Sequence, residues 1–167
     1  MEKLAMKTID LGHGFFTIVD DDDFEFLSKY KWHSIKAGRS PRYAVTSGRK
    51  SNGRKGSIYM QRLLLGDGDY VSDHINGDGL DNRRSNLRKA THHQNAWNSK
   101  KKKNGTTSQY KGVGWVKKDG AFRARIRTNL HEVSLGYFDN EVDAARAYNR
   151  AAKQLFGEFA KLNDVPD

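Results

Sequence analysis

Cysteine is absent from the 167 residues of this sequence, and proline occurs only twice. Without cysteine, neither a disulfide bond nor a cysteine-ligated zinc site can stabilise the fold, so any metal ion must be held by oxygen and nitrogen ligands. Hydrophobic residues make up only 36% of the chain. We therefore expect small hydrophobic cores and more than one small module.

Long hydrophobic runs are lacking as well. A membrane-spanning helix needs roughly 20 mostly apolar residues, and a signal peptide needs a shorter apolar segment. The polar, acidic first part of the chain has neither, and no basic amphipathic helix of the membrane-binding kind is found. We expect an intracellular protein that does not bind membranes.

Acidic residues are scarce between residues 83 and 127. The net charge is +10, and between residues 83 and 127 fourteen lysines and arginines stand against one acidic residue, Asp119. A basic surface of this density is typical of proteins that bind a polyanion. Nucleic acid is the partner that this pattern favours.

β-branched and aromatic residues are mixed around two glycines at residues 9–19, and the first 66 residues are predicted to form a β-rich region. We expect a hairpin at residues 9–19, a helix at 24–30, and two strands at 42–46 and 57–65. The carboxylates at 20–23 precede the helix, where they can cap free N–H groups; a metal site is the alternative. The basic turn at 47–56 either follows a phosphate backbone or is a solvated loop.

A polar segment separates this region from the C-terminal part. Residues 99–109 include four consecutive lysines, which repel one another, and predict a flexible linker. Further on, apolar Phe122, Ala124 and Ile126 alternate with three arginines, so a strand there has one apolar face and one arginine face.

Two further strands, at residues 110–116 and 132–138, are predicted to flank the arginine strand. A helix is predicted over residues 140–156, because apolar residues recur there at three- and four-residue spacing. The residues of this stripe, which we expect to cover the sheet, are Val142, Ala145, Tyr148, Ala152 and Leu155.

The densest group of Asp, His and Asn residues lies between residues 73 and 95. In one-letter form it reads D-H-x-N-x-D-x-x-D-N-R-x-x-N-L-R from Asp73 to Arg88, and Gln94-Asn95 follows. A strand is predicted at 70–74, a turn-rich segment at 76–85, and a capping box at 91–94 that opens a helix containing Asn95. An Asx-rich loop held by its own side chains is the alternative interpretation.

This pattern resembles the HNH motif of homing endonucleases. The resemblance implies a ββα-metal fold, in which a hairpin and a helix hold a single divalent ion. Hydrolysis of a phosphodiester requires a base that deprotonates water and a cation that stabilises the phosphate and the leaving oxygen. The family pattern therefore implies a magnesium-dependent nuclease, with Mn²⁺ as the alternative ion.

The motif also implies roles for individual residues. His74 is expected to be the base, because its ordinary pKa of roughly 6.5 leaves it mostly neutral. Asp73 and Asn95 are expected to bind the metal, with His92 and His93 as alternative ligands. Asn86, grouped with the catalytic residues, is expected to order the loop together with Asn82, through bonds to the backbone. Gln61 stands where related chains often have histidine.

The C-terminal part resembles the AP2/ERF domain, on the segments Tyr110-Lys111-Gly112-Val113, Leu135-Gly136-Tyr137-Phe138, Ala144-Ala145-Arg146-Ala147-Tyr148 and Leu162-Asn163. That family implies a three-stranded sheet in the DNA major groove, with the helix packed behind it. Arginines there can read guanine in a bidentate manner, at roughly 1–3 kcal/mol each, and lysines hold phosphates. The expected DNA contacts are Lys111, Trp115, Lys117, Arg123, Arg125 and Arg127 in this part, and Arg83, Arg84 and Arg88 in the motif.

The sequence thus predicts an α+β protein with two modules. Residues 1–98 form a nuclease domain, comprising a β-rich part (1–66) and the ββα-metal core (67–98). Residues 99–109 are a basic linker, and residues 110–167 form the AP2/ERF-like domain. We expect a homing-type endonuclease of an intron or phage mobile element that acts as a monomer on double-stranded DNA, in the cytoplasm or nucleoid of a bacterial or phage-infected cell. The alternatives are a DNA-binding regulator with an inactive HNH fold and an RNA-binding protein.

Overall fold

The structure is a computed structural model, and it describes residues 6–36, 41–50, 53–101 and 105–166. The chain divides into two compact units, Met1–His92 and His93–Asp167. Each unit combines short antiparallel strands with helices, which is compatible with the predicted α+β class. Within the described ranges, no helix has the length and apolar character needed to cross a bilayer.

The first unit contains two two-stranded sheets and one three-stranded sheet, all antiparallel. Strands β1 and β2 form the predicted hairpin, β3, β4 and β5 form a sheet in that order, and β6 pairs with β7. The elements are β1 (Met6–Asp10), β2 (Phe16–Asp20), α1 (Asp21–Leu27), β3 (His33–Lys36), β4 (Arg42–Arg49), β5 (Lys55–Tyr59), α2 (Met60–Leu65), β6 (Val71–His74) and β7 (Leu87–Ala90). Helix α3 (His92–Trp97) begins at the boundary between the units.

The acidic run at residues 20–23 does more than begin helix α1. The predicted side-chain cap is wrong for Asp20, whose carboxylate makes no cap hydrogen bond and instead accepts from the backbone N–H of Arg84 at 2.7 Å. Asp23 is buried and binds the Arg84 guanidinium through both oxygens, at 2.7 and 2.8 Å. These two carboxylates therefore connect the start of α1 to the segment before β7.

The predicted strand at residues 57–65 is wrong beyond residue 59, because the chain turns into helix α2 there. Met60 and Leu64 lie four residues apart on one helical face and are both buried, and the helix ends at Gly66, whose φ is 81°. The basic turn is shorter than predicted, since β4 and β5 continue into it, and residues 51–52 lie outside the described residues.

The core of the first unit lies between the hairpin, helices α1 and α2, and strands β4 and β7. Full burial of one large apolar side chain contributes roughly 1.5–3 kcal/mol to the stability of the fold. The residues at its centre are Leu11, Val19, Leu27, Trp32, Ala44, Met60, Leu64 and Leu87. Because Leu87 begins β7, this core fixes the strand that pairs with the motif strand β6.

The second unit is a three-stranded antiparallel sheet covered by one helix, as predicted from the alternation and the helical stripe. Its strands are β8 (Val113–Val116), β9 (Ala121–Arg127) and β10 (Glu132–Phe138), with β9 in the centre, and its helix is α4 (Glu141–Phe156). Asn140 caps the helix by accepting from the backbone N–H of Asp143 at 2.8 Å.

Small residues let helix α4 approach the sheet closely, since Ala144, Ala145 and Ala152 are fully buried. The prediction for Leu155 is wrong: its side chain is 50% exposed, and Phe156 is buried instead. Trp97 stacks on the Phe156 ring with centroids 4.3 Å apart. Trp97 is therefore part of the hydrophobic core of this unit, one of the two roles open to it from the sequence.

The Leu162-Asn163 element near the end of the chain has a structural role. The side chain of Asn163 accepts from the backbone N–H of Lys111 at 2.6 Å and donates to the carbonyl of the same residue at 3.0 Å. Its backbone is bound on the other side by the amide of Asn149, at 2.7 and 2.9 Å. Two of these bonds tie the segment after α4 to the segment before β8, and the other two tie it to α4 itself.

The predicted linker, residues 99–109, is described on both sides of residues 102–104, which lie outside the described residues. Thr107 accepts from the backbone N–H of Trp115 at 2.8 Å, and the ammonium of Lys101 donates to the carbonyl of Val113 at 2.9 Å. The described parts of this segment therefore contact strand β8.

Candidate active site and nucleic-acid interface

The paired strands β6 and β7 position the two leading residues of the motif. Asp73 lies opposite Arg88 and His74 opposite Leu87, so the Asp73 and His74 side chains point to opposite faces of the strand pair. Both are buried, with 3% and 6% of their surface exposed. Burial of a carboxylate and an imidazole side by side in sequence is costly unless each has partners.

One partner of His74 is Asn82, whose Oδ1 lies 3.2 Å from the imidazole Nε2. Asn82 is completely buried, and its amide nitrogen donates to Thr17 Oγ1 at 2.9 Å. Thr17 in turn donates its hydroxyl proton to the carbonyl of Leu80 at 2.7 Å. Because the Asn82 nitrogen is committed as a donor, its oxygen must accept from His74, so Nε2 carries a proton and Nδ1 holds the lone pair of the neutral ring.

Burial also favours the neutral form of this ring. It lowers the pKa of His74 below the ordinary histidine value, against the opposing effects of the Asn82 hydrogen bond and the carboxylates of Asp73, Asp78 and Asp81. A neutral imidazole with a defined tautomer can accept a proton at Nδ1. The role of His74 as the base stays a prediction.

Asp73 is held by Arg88, whose Nε donates to Oδ2 at 2.8 Å. This contact fixes the orientation of a buried carboxylate, as outer-shell partners of metal ligands commonly do. The ring of Tyr43 packs against His74, with centroids 5.8 Å apart. The pKa of Tyr43 is raised by burial and by the charges of Tyr59 and Asp73, so its hydroxyl stays protonated beside that carboxylate.

The loop between β6 and β7 is ordered by asparagine side chains, as predicted for Asn86. The amide of Asn86 donates to the carbonyl of Asp81 at 2.7 Å and to the side chain of Asn76 at 3.1 Å, and it accepts from the backbone N–H of Asn76 at 3.0 Å. Asn86 is buried and touches the loop, so it is a positioning residue for the segment that presents Asn82.

Strand β2 holds the same loop from outside the motif. Ile18 and Asp81 form an isolated parallel bridge, with bonds from Ile18 N to the Leu80 carbonyl at 2.9 Å and from Asn82 N to the Ile18 carbonyl at 2.8 Å. Gly79 approaches β4 so closely that an added Cβ would lie 2.4 Å from the carbonyl of Arg42. The N-terminal hairpin and sheet thus build the site together with the motif.

The three motif arginines predicted to contact DNA all bind carboxylates of their own unit. Arg83 binds Asp81 through two nitrogens at 2.6 and 2.7 Å, Arg84 binds Asp23, and Arg88 binds Asp73. The Arg83 contact lowers the pKa of Asp81. These pairings give the arginines a role in holding the loop that the sequence did not reveal, and DNA contact by them stays a prediction.

The predicted ligand Asn95 lies on helix α3, with an exposed side chain, in the unit that begins at His93. His92 and His93, the alternative ligands, are exposed residues of the same helix. Among the residues that the structure describes, no three His, Cys, Asp or Glu side chains lie together as a metal site. The identity of the second metal ligand stays a prediction.

The arginine strand is arranged as predicted. Ala124 and Ile126 of β9 are buried on the helix side, and Arg123, Arg125 and Arg127 point to the other face. All three guanidiniums lie near one carboxylate, that of Glu132 on β10, at 3.5, 3.0 and 4.0 Å respectively. The contact of Glu132 with these arginines could not be predicted from the sequence, because it depends on the register of β10 on β9.

Two other predicted DNA-side residues are placed differently. Trp115 lies opposite Phe122 and contacts its ring edge-to-face, so it belongs to the face that carries Ala124 and not to the arginine face. Lys111 precedes β8, and its ammonium donates to the carbonyls of Trp97 and Ser99. Both placements correct the predicted strand face. Lys117 is exposed in the turn after β8.

Strand β6 therefore carries a buried imidazole on one face and a buried carboxylate on the other, at consecutive positions. An uncharacterized HNH endonuclease of Acanthamoeba polyphaga mimivirus is 32% identical over 162 residues, covering 92% of this chain and 78% of the relative. The chain belongs to the HNH endonuclease family.

Two other relatives match shorter parts of the chain. Protein 3.8 of Escherichia phage T7 is 33% identical over 93 residues, which are 56% of this chain and 75% of that protein. The AP2-like ethylene-responsive transcription factor TOE2 of Arabidopsis thaliana is 41% identical over 59 residues, which are 35% of this chain and 12% of that protein. No family profile and no solved structure matches the chain.

Proposed function

We propose that the protein is a site-specific DNA endonuclease of the homing type. The HNH unit would hydrolyse one phosphodiester bond of duplex DNA, and the sheet of the second unit would largely choose the target. The observation that carries this proposal is the chain of hydrogen bonds from His74 through Asn82 and Thr17 to the Leu80 carbonyl. With the ring proton on Nε2, the lone pair lies on Nδ1, the nitrogen proposed to accept a proton.

In this proposal His74 Nδ1 takes a proton from water as the water oxygen attacks phosphorus. The bond from phosphorus to the 3′ oxygen breaks, and that oxygen leaves with a proton from solvent, giving a 3′-hydroxyl and a 5′-phosphate. Asn82 accepts from Nε2 throughout, so it stabilises the imidazolium that forms. Arg88 keeps the Asp73 carboxylate oriented.

In this proposal Asp73 would hold a divalent cation of the magnesium kind. Asp73 offers a buried, oriented carboxylate, and Asn95 stays the second predicted ligand, from the family pattern alone. Few protein ligands suit Mg²⁺, which usually keeps several waters and substrate phosphate oxygens. When bound, the ion would stabilise negative charge on the phosphate and the leaving oxygen.

DNA is the proposed substrate because one face of the sheet offers a row of guanidiniums and the chain is strongly basic. Two of the relatives come from viruses, and one is a plant transcription factor with AP2-like in its name. They support a nuclease of a mobile or viral element with a DNA-binding second unit. One active centre in a monomer predicts a nick, so a double-strand break would need a second centre or a second event.

The proposal is tested by incubating purified protein with duplex DNA in EDTA and then adding Mg²⁺. We expect the native protein to cut the strand and His74→Ala to cut it about 10²–10⁴-fold more slowly. The two proteins should bind the duplex with equal affinity. His131→Ala, which changes an exposed histidine of the second unit, is the matched control and should cut normally. Binding without cleavage by the native protein in Mg²⁺ or Mn²⁺ would instead support the non-cutting regulator.

A further inference from the structure

The outer face of the second unit's sheet carries an internal carboxylate among its arginines. Strand register places Glu132 opposite Arg127, and its side chain extends along β9 to within 3.0 Å of Arg125 and 3.5 Å of Arg123. The Glu132 side chain is only 27% exposed, while those of Arg125 and Arg127 are 56% and 80% exposed. One carboxylate therefore lies beneath the exposed ends of a row of guanidiniums.

This carboxylate orients the arginines as well as partly neutralising them. Arg123 Nε is buried and makes no hydrogen bond within the described part of the chain. The charged contact that the structure gives its guanidinium is the one to Glu132. Arg125 makes two contacts with the two Glu132 oxygens, at 3.0 and 3.3 Å. The guanidinium positions on this face thus depend on a residue of the neighbouring strand.

A carboxylate in that position changes what the face can bind. It repels a phosphate group, which a row of arginines alone would attract without regard to sequence. It can accept from the amino group of cytosine, and an oriented arginine can donate to the partner guanine. The face is thereby suited to base edges of a C·G pair more than to the phosphate backbone.

We propose that Glu132 is a specificity-determining residue, which lowers the affinity of the arginine face for mixed-sequence DNA and raises its discrimination for a site containing a C·G pair. This inference rests on the proposed function, since it requires that the sheet bind duplex DNA. Removal of the Glu132 charge should strengthen binding to mixed-sequence DNA and weaken selectivity for the C·G site.

The test compares native protein, Glu132→Gln and the matched control Asp139→Asn, which removes one exposed acidic charge from the same unit. All are full-length and kept in EDTA, so that DNA is bound without being cut. The probes are duplexes selected by the native protein and a mixed-sequence duplex of equal length. Affinities are measured across a salt series, and thermal melting of each variant confirms that it is folded.

We expect Glu132→Gln to bind the mixed-sequence duplex about tenfold more tightly at roughly 0.1 M salt, with a salt slope steeper by about one. Its affinity for the selected duplexes should rise much less, so its discrimination ratio falls, and repeated selection should relax the C·G preference at one position. Asp139→Asn should leave the discrimination ratio unchanged.

The outcomes separate this inference from the proposal beneath it. Native protein that binds no duplex DNA would overturn both. Native protein that discriminates, together with a Glu132→Gln variant of equal discrimination ratio and salt slope, would overturn the role of Glu132 and leave the proposed endonuclease standing. A variant that merely melted earlier, with both affinities unchanged, would show that Glu132 only stabilises the sheet and would overturn the inference.

Discussion

Asn82 is the residue whose replacement tests the geometry of the site most sharply. Asn82→Ala removes the acceptor of His74 Nε2–H and the donor to Thr17, both inside the first unit. The buried His74 donor left unsatisfied costs about 1–3 kcal/mol, and the lost bond to Thr17 costs about 1 kcal/mol more. We therefore expect a fall of about 2–4 kcal/mol in the free energy of unfolding, measured with urea.

The effect on cleavage should exceed what partial unfolding explains. Without Asn82, neither tautomer of His74 is selected and the ring loses one anchor, so we expect cleavage by fully folded protein to fall about 10–100-fold, as for other outer-shell residues. Asn82→Asp is the matched variant, because it keeps an acceptor at the same position. It should retain the tautomer and raise the pKa of His74, moving the acid limb of the pH–rate profile upward.

The assay is single-turnover strand cleavage at saturating Mg²⁺, at pH values from 5 to 9 (roughly the range in which histidine titrates). Equal rates for Asn82→Ala and native protein, with superimposable pH profiles, would refute the reasoning that Asn82 orients the base. A lowered rate with an unchanged profile in Asn82→Asp would refute the part that concerns the pKa of His74.

Three further predictions concern stability. Arg84→Met leaves the buried Asp23 carboxylate without its guanidinium, so the free energy of unfolding of the first unit should fall by about 1–2 kcal/mol and the urea midpoint should fall with it. An unchanged midpoint would show that this ion pair does not contribute to stability. Gly112→Ala should cost about 3 kcal/mol in the second unit, because φ is +77° and the new Cβ would lie 2.1 Å from the Tyr148 ring; a stable variant would mean that the ring moves away freely. Burial, with repulsion from Lys161, lowers the pKa of the Lys111 amine to about 8 in the folded protein. Between about pH 8 and pH 10 only the unfolded amine holds its proton, so the free energy of unfolding should rise with pH over that range. Lys111→Met should abolish this rise.

The sequence predicted those elements whose pattern is local. The alternation in β9 and the apolar stripe of α4 each report one face of one element, and the D-H to N-L-R pattern identifies the loop with its two strands. The secondary structure of residues 57–65 is harder to predict, because a short apolar run suits a strand or a helix equally well. Only the packing of Met60 and Leu64 determines that the chain is helical from residue 60.

The parts that could not be predicted depend on long-range pairing. Thr17 reaches Asn82 from 65 residues away, and Asp23 reaches Arg84 from 61 residues away, with no spacing that signals either contact. The face of Trp115 follows from the register of β8 on β9, and the reach of Glu132 follows from that of β10. For the same reason the sequence predicted His74 as the base but did not predict the contacts that orient its ring.

The most direct test of the account asks whether the unit that cuts acts where the arginine face binds. Duplexes are selected in EDTA with native protein, Mg²⁺ is added, and strand cleavage is mapped for native protein and for His74→Ala. We expect native protein to cut at a fixed distance from the selected sequence. His74→Ala should bind the same duplexes equally well and leave them uncut. Cleavage that persists in His74→Ala, or that bears no fixed relation to the bound sequence, would contradict it.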